Sequence, residues 1–225
     1  MDRSDSSYKG QSGYNPALLA IYDGLLKFVA PAVWKSPLAA SVALYRQNLG
    51  PRHLDVGPGT GYFILQAAPP IDTEITLLDP NPNVLQHASK RLAAWSPVAV
   101  EADVMKPLPV DRGYDSAALS FVLHCLRGPM SNKAVAIRNI ADVLTPDGVL
   151  FGGTVLGATE PHTRSARALL WAFNKEGGFD NRDDTLEGLR RILDASFRHV
   201  EIERSGSTAL FSARGPRSAR ANPTI

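Results

Sequence analysis

Three glycines and one acid carry the clearest chemistry in this chain. The run His53-Leu-Asp-Val-Gly-Pro-Gly-Thr-Gly-Tyr62 leads an apolar stretch into Gly57, Gly59 and Gly61. Glycines at that spacing permit a tight turn, and they let backbone approach a ligand that a Cβ would obstruct. Asp79 closes the apolar run Ile75-Thr-Leu-Leu78, 22 residues beyond Gly57. A carboxylate at the tip of a second strand accepts both hydroxyls of a ribose, so the pair implies an adenosine-containing ligand. A nicotinamide or flavin site would want a small residue at position 62, where this chain has Tyr62. A phosphate-cradling loop would continue into Gly-Lys-Ser/Thr, which is missing.

Among titratable groups, His124 stands out. It follows a fourth strand, where parallel sheets collect ligands at their carboxyl ends, and histidine titrates near neutral pH. It is the candidate base or acceptor-binding group. His162 begins the segment after strand five and is expected either to cap a helix or to line the pocket. His53 opens strand one at the opposite end and reads as structural. Cys125, the only cysteine, reads as a small buried residue, and one cysteine makes neither an internal disulfide nor a multi-cysteine zinc site. No cluster of residues has metal-ligand spacing, so no metal is expected.

The elements that must position these groups alternate. Two helices come first. Asn15-Pro16 starts one, with a stripe through Leu18, Tyr22, Leu25 and Val29. Ser36-Pro37 starts another, with Leu38, Val42, Tyr45 and Leu49 on one face. From His53, strands are predicted near 53–56, 74–78, 97–100, 115–121, 148–155, 198–204 and 207–213. Helices are predicted near 60–67, 82–95, 131–144, 162–176 and 185–195. Strands alternating with helices imply right-handed crossovers and a largely parallel sheet. Only Ser205-Gly206 separates the last two strands, which reads as an antiparallel hairpin.

The 225 residues are enough for one α/β domain, 44% hydrophobic and 20% charged as in ordinary globular proteins. A net charge of +2 is too mild to suggest nucleic acid, and the late arginines Arg214, Arg217 and Arg220 read as a solvated tail. Met1 to Gly13 lacks the apolar core of a signal peptide, and no run approaches ~18 apolar residues. A soluble, cytoplasmic protein with no membrane partner is expected. A single domain is expected over 1–225, with an extension and helical lid at 1–49, the core at 50–215 and a tail at 216–225.

Five segments in order resemble the class I S-adenosylmethionine-dependent methyltransferases. Leu54-Asp-Val-Gly-Pro-Gly-Thr-Gly61 looks like the first motif, with Pro58 where cysteine or alanine is common. Leu78-Asp-Pro-Asn-Pro-Asn-Val-Leu85 resembles the ribose-binding motif, and Glu101-Ala-Asp-Val-Met-Lys-Pro-Leu-Pro109 the adenine-side motif. Tyr114 to Leu126 resembles the fourth-strand motif, and Val143 to Leu150 the turn into strand five. The resemblance implies a Rossmann-like, doubly wound seven-stranded sheet of order 3-2-1-4-5-7-6, strand 7 antiparallel, with an N-terminal helical extension. It implies S-adenosylmethionine as cofactor and S-adenosylhomocysteine as product. Asp55 would orient the methionine part through water, Gly57, Gly59 and Gly61 would make room for it, and Asp79 with Pro80 would hold the ribose. Asp103 would accept from the adenine amino group, Val104 would pack on the ring, and Ser120 and Phe121 would lie under the sulfonium.

The expected function is therefore methyl transfer to a small-molecule acceptor, a metabolite or natural product. Aromatic residues suit its pocket: Tyr14 and Tyr22 in the N-terminal lid, and His162, Trp171, Phe173 and Phe179 after strand five. Trp34 and Trp95 read as core. The alternatives are a macromolecular methyltransferase, acting on protein or RNA, and a methyltransferase-fold protein with a non-methylating role. The lack of a basic stripe, and of an Asn-Pro-Pro-Tyr-like run after strand four, argues against the first. Intact Asp55, Gly57, Gly59, Gly61 and Asp79 argue against the second.

Overall fold

The first helix, α1 (Leu38–Asn48), is entered differently from the expected capping pattern. The cap position is Pro37, with no side-chain bond. Ser36 instead accepts a hydrogen bond from the Thr208 hydroxyl at 2.9 Å, which ties the start of α1 to the far end of the chain. The structure is a computed structural model and describes residues 31–217. The expected helix after Asn15, the substrate candidates Tyr14 and Tyr22, and residues 218–225 lie outside the described residues.

After α1 come β1 (Arg52–Val56), α2 (Tyr62–Ala67), β2 (Glu74–Asp79), α3 (Pro82–Arg91), β3 (Val98–Glu101) and β4 (Tyr114–Ser120). There follow α4 (Met130–Ala141), β5 (Leu144–Val155), α5 (Arg164–Glu176), α6 (Leu186–Asp194), β6 (Phe197–Ser205) and β7 (Thr208–Pro216). The sheet order is β3-β2-β1-β4-β5-β7-β6. The first five strands are parallel, and β7 runs antiparallel to both β5 and β6. The hairpin inferred from Ser205-Gly206 is there, closed by Ser205 opposite Thr208.

Both sheet faces are covered, as a parallel sheet requires. On one face Leu54, Val56 and Leu119 pack under Ile137 and Ile140 of α4 and Leu189 and Leu193 of α6. On the other, Ile75, Leu77, Ala118 and Phe151 meet Tyr45 of α1, Ile64 of α2 and Leu85 and Ala88 of α3. Alternation along β1 sends Leu54 and Val56 to the first face and His53 and Asp55 to the second. A buried carboxylate therefore sits in the central strand, inside an aromatic layer. The order reverses between β1 and β4, so the crevice above their carboxyl ends is where ligands of such sheets bind.

Candidate cofactor cleft

The loop after β1 has Gly57 at φ +68°, Gly59 at +55° and Gly61 at +72°, a left-handed path that side chains resist. The reasons differ along it. A Cβ on Gly57 would lie 2.4 Å from Val122 Cγ2, so this position is closed by packing. A Cβ on Gly59 would meet nothing within 4 Å; the space beside it is open cleft. Gly61 starts α2 and would press on Leu92 Cδ1 at 3.0 Å. It does not line the cleft, so its place is beneath the loop rather than against a ligand.

The cleft is lined by Gly57, Pro58 and Gly59, by Asp79, Pro80 and Asn81 at the tip of β2, by Asp103 and Val104, and by Ser120, Phe121 and Val122 at the tip of β4. Eight of the ten residues expected on the cofactor side thus surround one space; Asp55 and Gly61 are not among its lining residues. Asp79 Oδ1 accepts from the Asn81 N–H at 2.7 Å. Burial pushes its carboxyl up to about 7, and the Asn81 N–H offsets only part of that. This acid would gain from two further hydroxyl donors. Asp103 Oδ1 is met by the Met105 N–H at 2.9 Å, an Asx turn that fixes the side chain at the rim.

Asp55 lies behind this wall, 2% exposed. Its Oδ2 accepts from the Tyr45 hydroxyl at 3.2 Å, while its Oδ1 is buried without a partner. Tyr45 lines the cleft itself, as does Ser120. Burial, and then the Asp55 charge, raise the Tyr45 phenol well above its ordinary range, so it stays a donor. Sequence reading placed Tyr45 only in a helical core stripe. A buried tyrosine needs a partner for its hydroxyl, and that was the available signal. Phe63, also missed, stacks between Tyr45 (5.4 Å) and Phe121 (5.9 Å) along the same wall. Phe121 holds a left-handed φ of +61°, pinned by its N–H on the Gly153 carbonyl at 2.6 Å. Such strain in a non-glycine residue is typical of functional sites.

The expected base is placed otherwise. His124 is 4% exposed, is not among the cleft residues, and packs its ring on Phe179 at 4.3 Å. Its Nδ1 accepts from the Val155 N–H at 3.2 Å, which leaves the proton on Nε2. Burial, then the Lys133 charge, lower its pKa to about 3. A neutral ring whose Nδ1 lone pair is taken by the Val155 N–H has no free lone pair for a proton, so the general-base expectation is corrected. His162 is corrected too: its Nε2 donates to the Gly157 carbonyl at 2.6 Å and it does not line the cleft. The α5 cap is Thr163, not His162. Cys125 is exposed and lines the cleft rather than being buried. Trp171 is 64% exposed with Lys175 over its ring, outside any pocket wall.

A second apolar group adjoins the cleft through Phe121. Trp34, Phe173 and Phe179 gather there, with Phe173 and Phe179 stacked at 4.7 Å. Polar ties from residues 180–184 hold Phe179 in place. Fully buried Lys133 donates to Asp184 Oδ2 at 2.5 Å and to the Asp180 carbonyl at 2.7 Å. The Asp180 N–H donates to the His124 carbonyl, and Asn181 Nδ2 donates to the Val155 carbonyl. Among the described residues, no group of acids, histidines or cysteines has the arrangement of a metal site, and no helix is long and apolar enough to cross a membrane.

With this geometry in hand, known proteins can be compared. Residues 54–150 match the family model described as a methyltransferase domain. Demethylluteothin O-methyltransferase of Streptomyces thioluteus is 38% identical over 207 residues, covering 91% of this chain and 90% of that enzyme. The physcion biosynthesis cluster O-methyltransferase of Aspergillus chevalieri is 34% identical over 221 residues, covering 96% of this chain and all of the other. Among solved structures, the N-methyltransferase NodS of Bradyrhizobium japonicum, in complex with S-adenosylhomocysteine, superposes with a TM-score of 0.58 at 18% identity. That match covers 95% of this chain and 100% of that one.

Proposed function

The chain belongs to the class I S-adenosylmethionine-dependent methyltransferases that act on small molecules, and from that premise we propose that its β1–β2–β4 cleft seats S-adenosylmethionine for transfer of the methyl to an acceptor hydroxyl. The observation that carries this reading is the joining of Gly59, open to the cleft, with Asp79 at its far rim. Three features fit the cofactor. Asp55 Oδ1 is a buried acceptor lacking a donor, suited to an ammonium. Asp79 is a desolvated carboxyl suited to ribose hydroxyls. Val104, 4% exposed beside Asp103, offers an apolar face and an acid at the adenine end.

When bound, S-adenosylmethionine supplies an electrophilic methyl on a sulfonium. The work of the chain is then alignment and exclusion of water. Asp55, Asp79 and Asp103 hold three separate parts of the cofactor. Ser120 and Phe121 form the floor at the reacting end, with Phe63 and Phe121 as an aromatic wall. The acceptor would enter on the Phe121 side, toward Phe173 and Phe179, where its oxygen could be aligned with the cofactor's methyl. His124 takes no proton there; it fixes Phe179 by packing and the end of β5 by hydrogen bonding. The described residues 31–217 are proposed to act as one domain. The relatives named O-methyltransferases, similar over nine-tenths of the chain, support oxygen as the atom methylated.

Calorimetric titration with S-adenosylhomocysteine tests the cofactor seat, and absence of binding rejects it. Labelled-methyl transfer to a panel of hydroxylated and aminated small molecules, with products identified by mass, tests the acceptor. Transfer confined to amines rejects oxygen.

A further inference from the structure

We infer that Tyr45, reaching in from α1, is a positioning residue for the amino-acid end of the cofactor, acting through Asp55. The inference rests on the reading of the cleft as the cofactor's seat. The Asp55 carboxylate is nearly fully buried, and its two oxygens are treated unequally. Oδ2 receives the Tyr45 hydroxyl at 3.2 Å, and Oδ1 receives nothing. A buried carboxylate oxygen without a donor is costly unless a ligand supplies one. Tyr45 lines the cleft, so its bond to Asp55 Oδ2 ties the buried carboxylate to the cleft wall and leaves the other oxygen without a donor.

A second buried group faces the same carboxylate from below, beyond hydrogen-bond distance. His53 is fully buried, two residues earlier on the same face of β1, with its Nε2 3.9 Å from Asp55 Oδ2. Its Nδ1 lies 2.8 Å from Ser116 Oγ, which also accepts the Gly50 N–H at 2.8 Å. The serine proton is therefore free to go to Nδ1, which leaves the histidine proton on Nε2, on the Asp55 side. Rings close the remaining sides: Phe151 lies 4.9 Å from Tyr45 and 5.8 Å from His53. With Oδ2 bonded to Tyr45 and faced by His53, Oδ1 is left as the carboxylate oxygen able to take a donor from an ammonium.

Two ligands separate this role from simple packing. S-Adenosylhomocysteine carries the amino-acid end. 5′-Methylthioadenosine keeps the adenosine and the thioether but ends in a methyl. Tyr45→Phe removes the hydroxyl and keeps the ring. Its Kd for S-adenosylhomocysteine should rise about tenfold, the scale of one charge-assisted hydrogen bond. Its Kd for methylthioadenosine should stay within about twofold, the reproducibility expected for a ligand that never reaches Asp55. Both ligands are titrated into the same sample, so a reduced folded fraction changes the stoichiometry and not the ratio of the two constants. Asp55→Asn should lose the same discrimination, and Tyr45→Phe added to it should cost nothing further. Equal weakening of both ligands by Tyr45→Phe, or of neither, overturns the inference while the cleft reading stands. Failure of the unmodified protein to bind either ligand overturns the cleft reading and the inference with it.

Discussion

The two sides of the crevice are built by different means. On the side of β1, β2 and β3, the wall is backbone and strand tips: a left-handed glycine turn, then an acid at the end of β2 and another just after β3. Each part is local in sequence. On the side of β4 and β5, Phe121 lines the cleft and joins an apolar cluster of side chains from separated segments, namely Trp34, Phe173 and Phe179. A buried ion pair between residues 51 apart, Lys133 and Asp184, holds this side together. The first arrangement suits a ligand of fixed shape, met through chain geometry. The second is a packing arrangement that other side chains of similar volume could remodel without disturbing the turn.

If the sides are separable, damage to one should spare the other. The largest effect is expected from the ion pair. Asp184→Ala leaves a buried, uncompensated ammonium at Lys133 and should cost roughly 3–5 kcal/mol of stability by denaturant unfolding. The folded fraction should keep its affinity for S-adenosylhomocysteine. A loss of affinity in the folded protein would break the distinction between the two sides. The reciprocal damage is Gly59→Val, which places a branched side chain in the open cleft at φ +55°. It should weaken S-adenosylhomocysteine roughly a hundredfold while costing only about 1–2 kcal/mol of stability, the penalty of a left-handed L-residue. Unfolding of this variant would show that the turn holds the sheet together as well as the ligand.

Asp79 gives a smaller and pH-dependent effect. Asp79→Ala should weaken S-adenosylhomocysteine by about 1–3 kcal/mol, the cost of leaving ribose hydroxyls without a charged acceptor. Its folded pKa stands near 7, raised by burial from 3.8. The folded protein therefore holds this proton more tightly than the unfolded chain. The corresponding stability is complete below about pH 4 and is lost as pH rises through 7. Ligand hydroxyls favour the carboxylate, so binding should release a proton and tighten from pH 6 to 8. Calorimetry in buffers of different ionisation heat measures that proton, and Asp79→Asn should abolish it.

Legibility follows the same division. Gly57, Gly59, Asp79 and Asp103 could be read because their proposed roles depend on spacing within short runs; the alternation of strands and helices pointed to a largely parallel sheet, and the family resemblance supplied its order. Tyr45 could not be read as part of the site. Its helical spacing marks it as core, and only the packing of α1 against β1 and β5 brings its hydroxyl to Asp55. His124 was misread for the opposite reason. Its place after β4 suggested exposure at the strand ends, but the Asp180 N–H, Phe179 and the Val155 N–H, all distant in sequence, enclose it.

His124 supplies the finest test, because the two sides of the crevice give it different chemistry. A base facing the cofactor would produce a limb near pH 6.5 in the turnover profile, and its loss would lower turnover steeply. A neutral ring with a pKa near 3 produces no such limb. Its effect falls on stability instead. The unfolded chain protonates the imidazole below about 6.5 and the folded chain does not, so stability should fall as pH drops from 6.5 toward 3 and be flat above. His124→Asn offers a carbonyl oxygen where Nδ1 accepts the Val155 N–H. It should change affinity for S-adenosylhomocysteine by less than about twofold and stability by about 1 kcal/mol, the worth of one neutral hydrogen bond. It should also remove this group's share of the acid-side loss. A turnover limb near 6.5 that disappears in His124→Asn would return the histidine to the reacting centre, and would mean that the acceptor side rearranges to expose it when the site is filled.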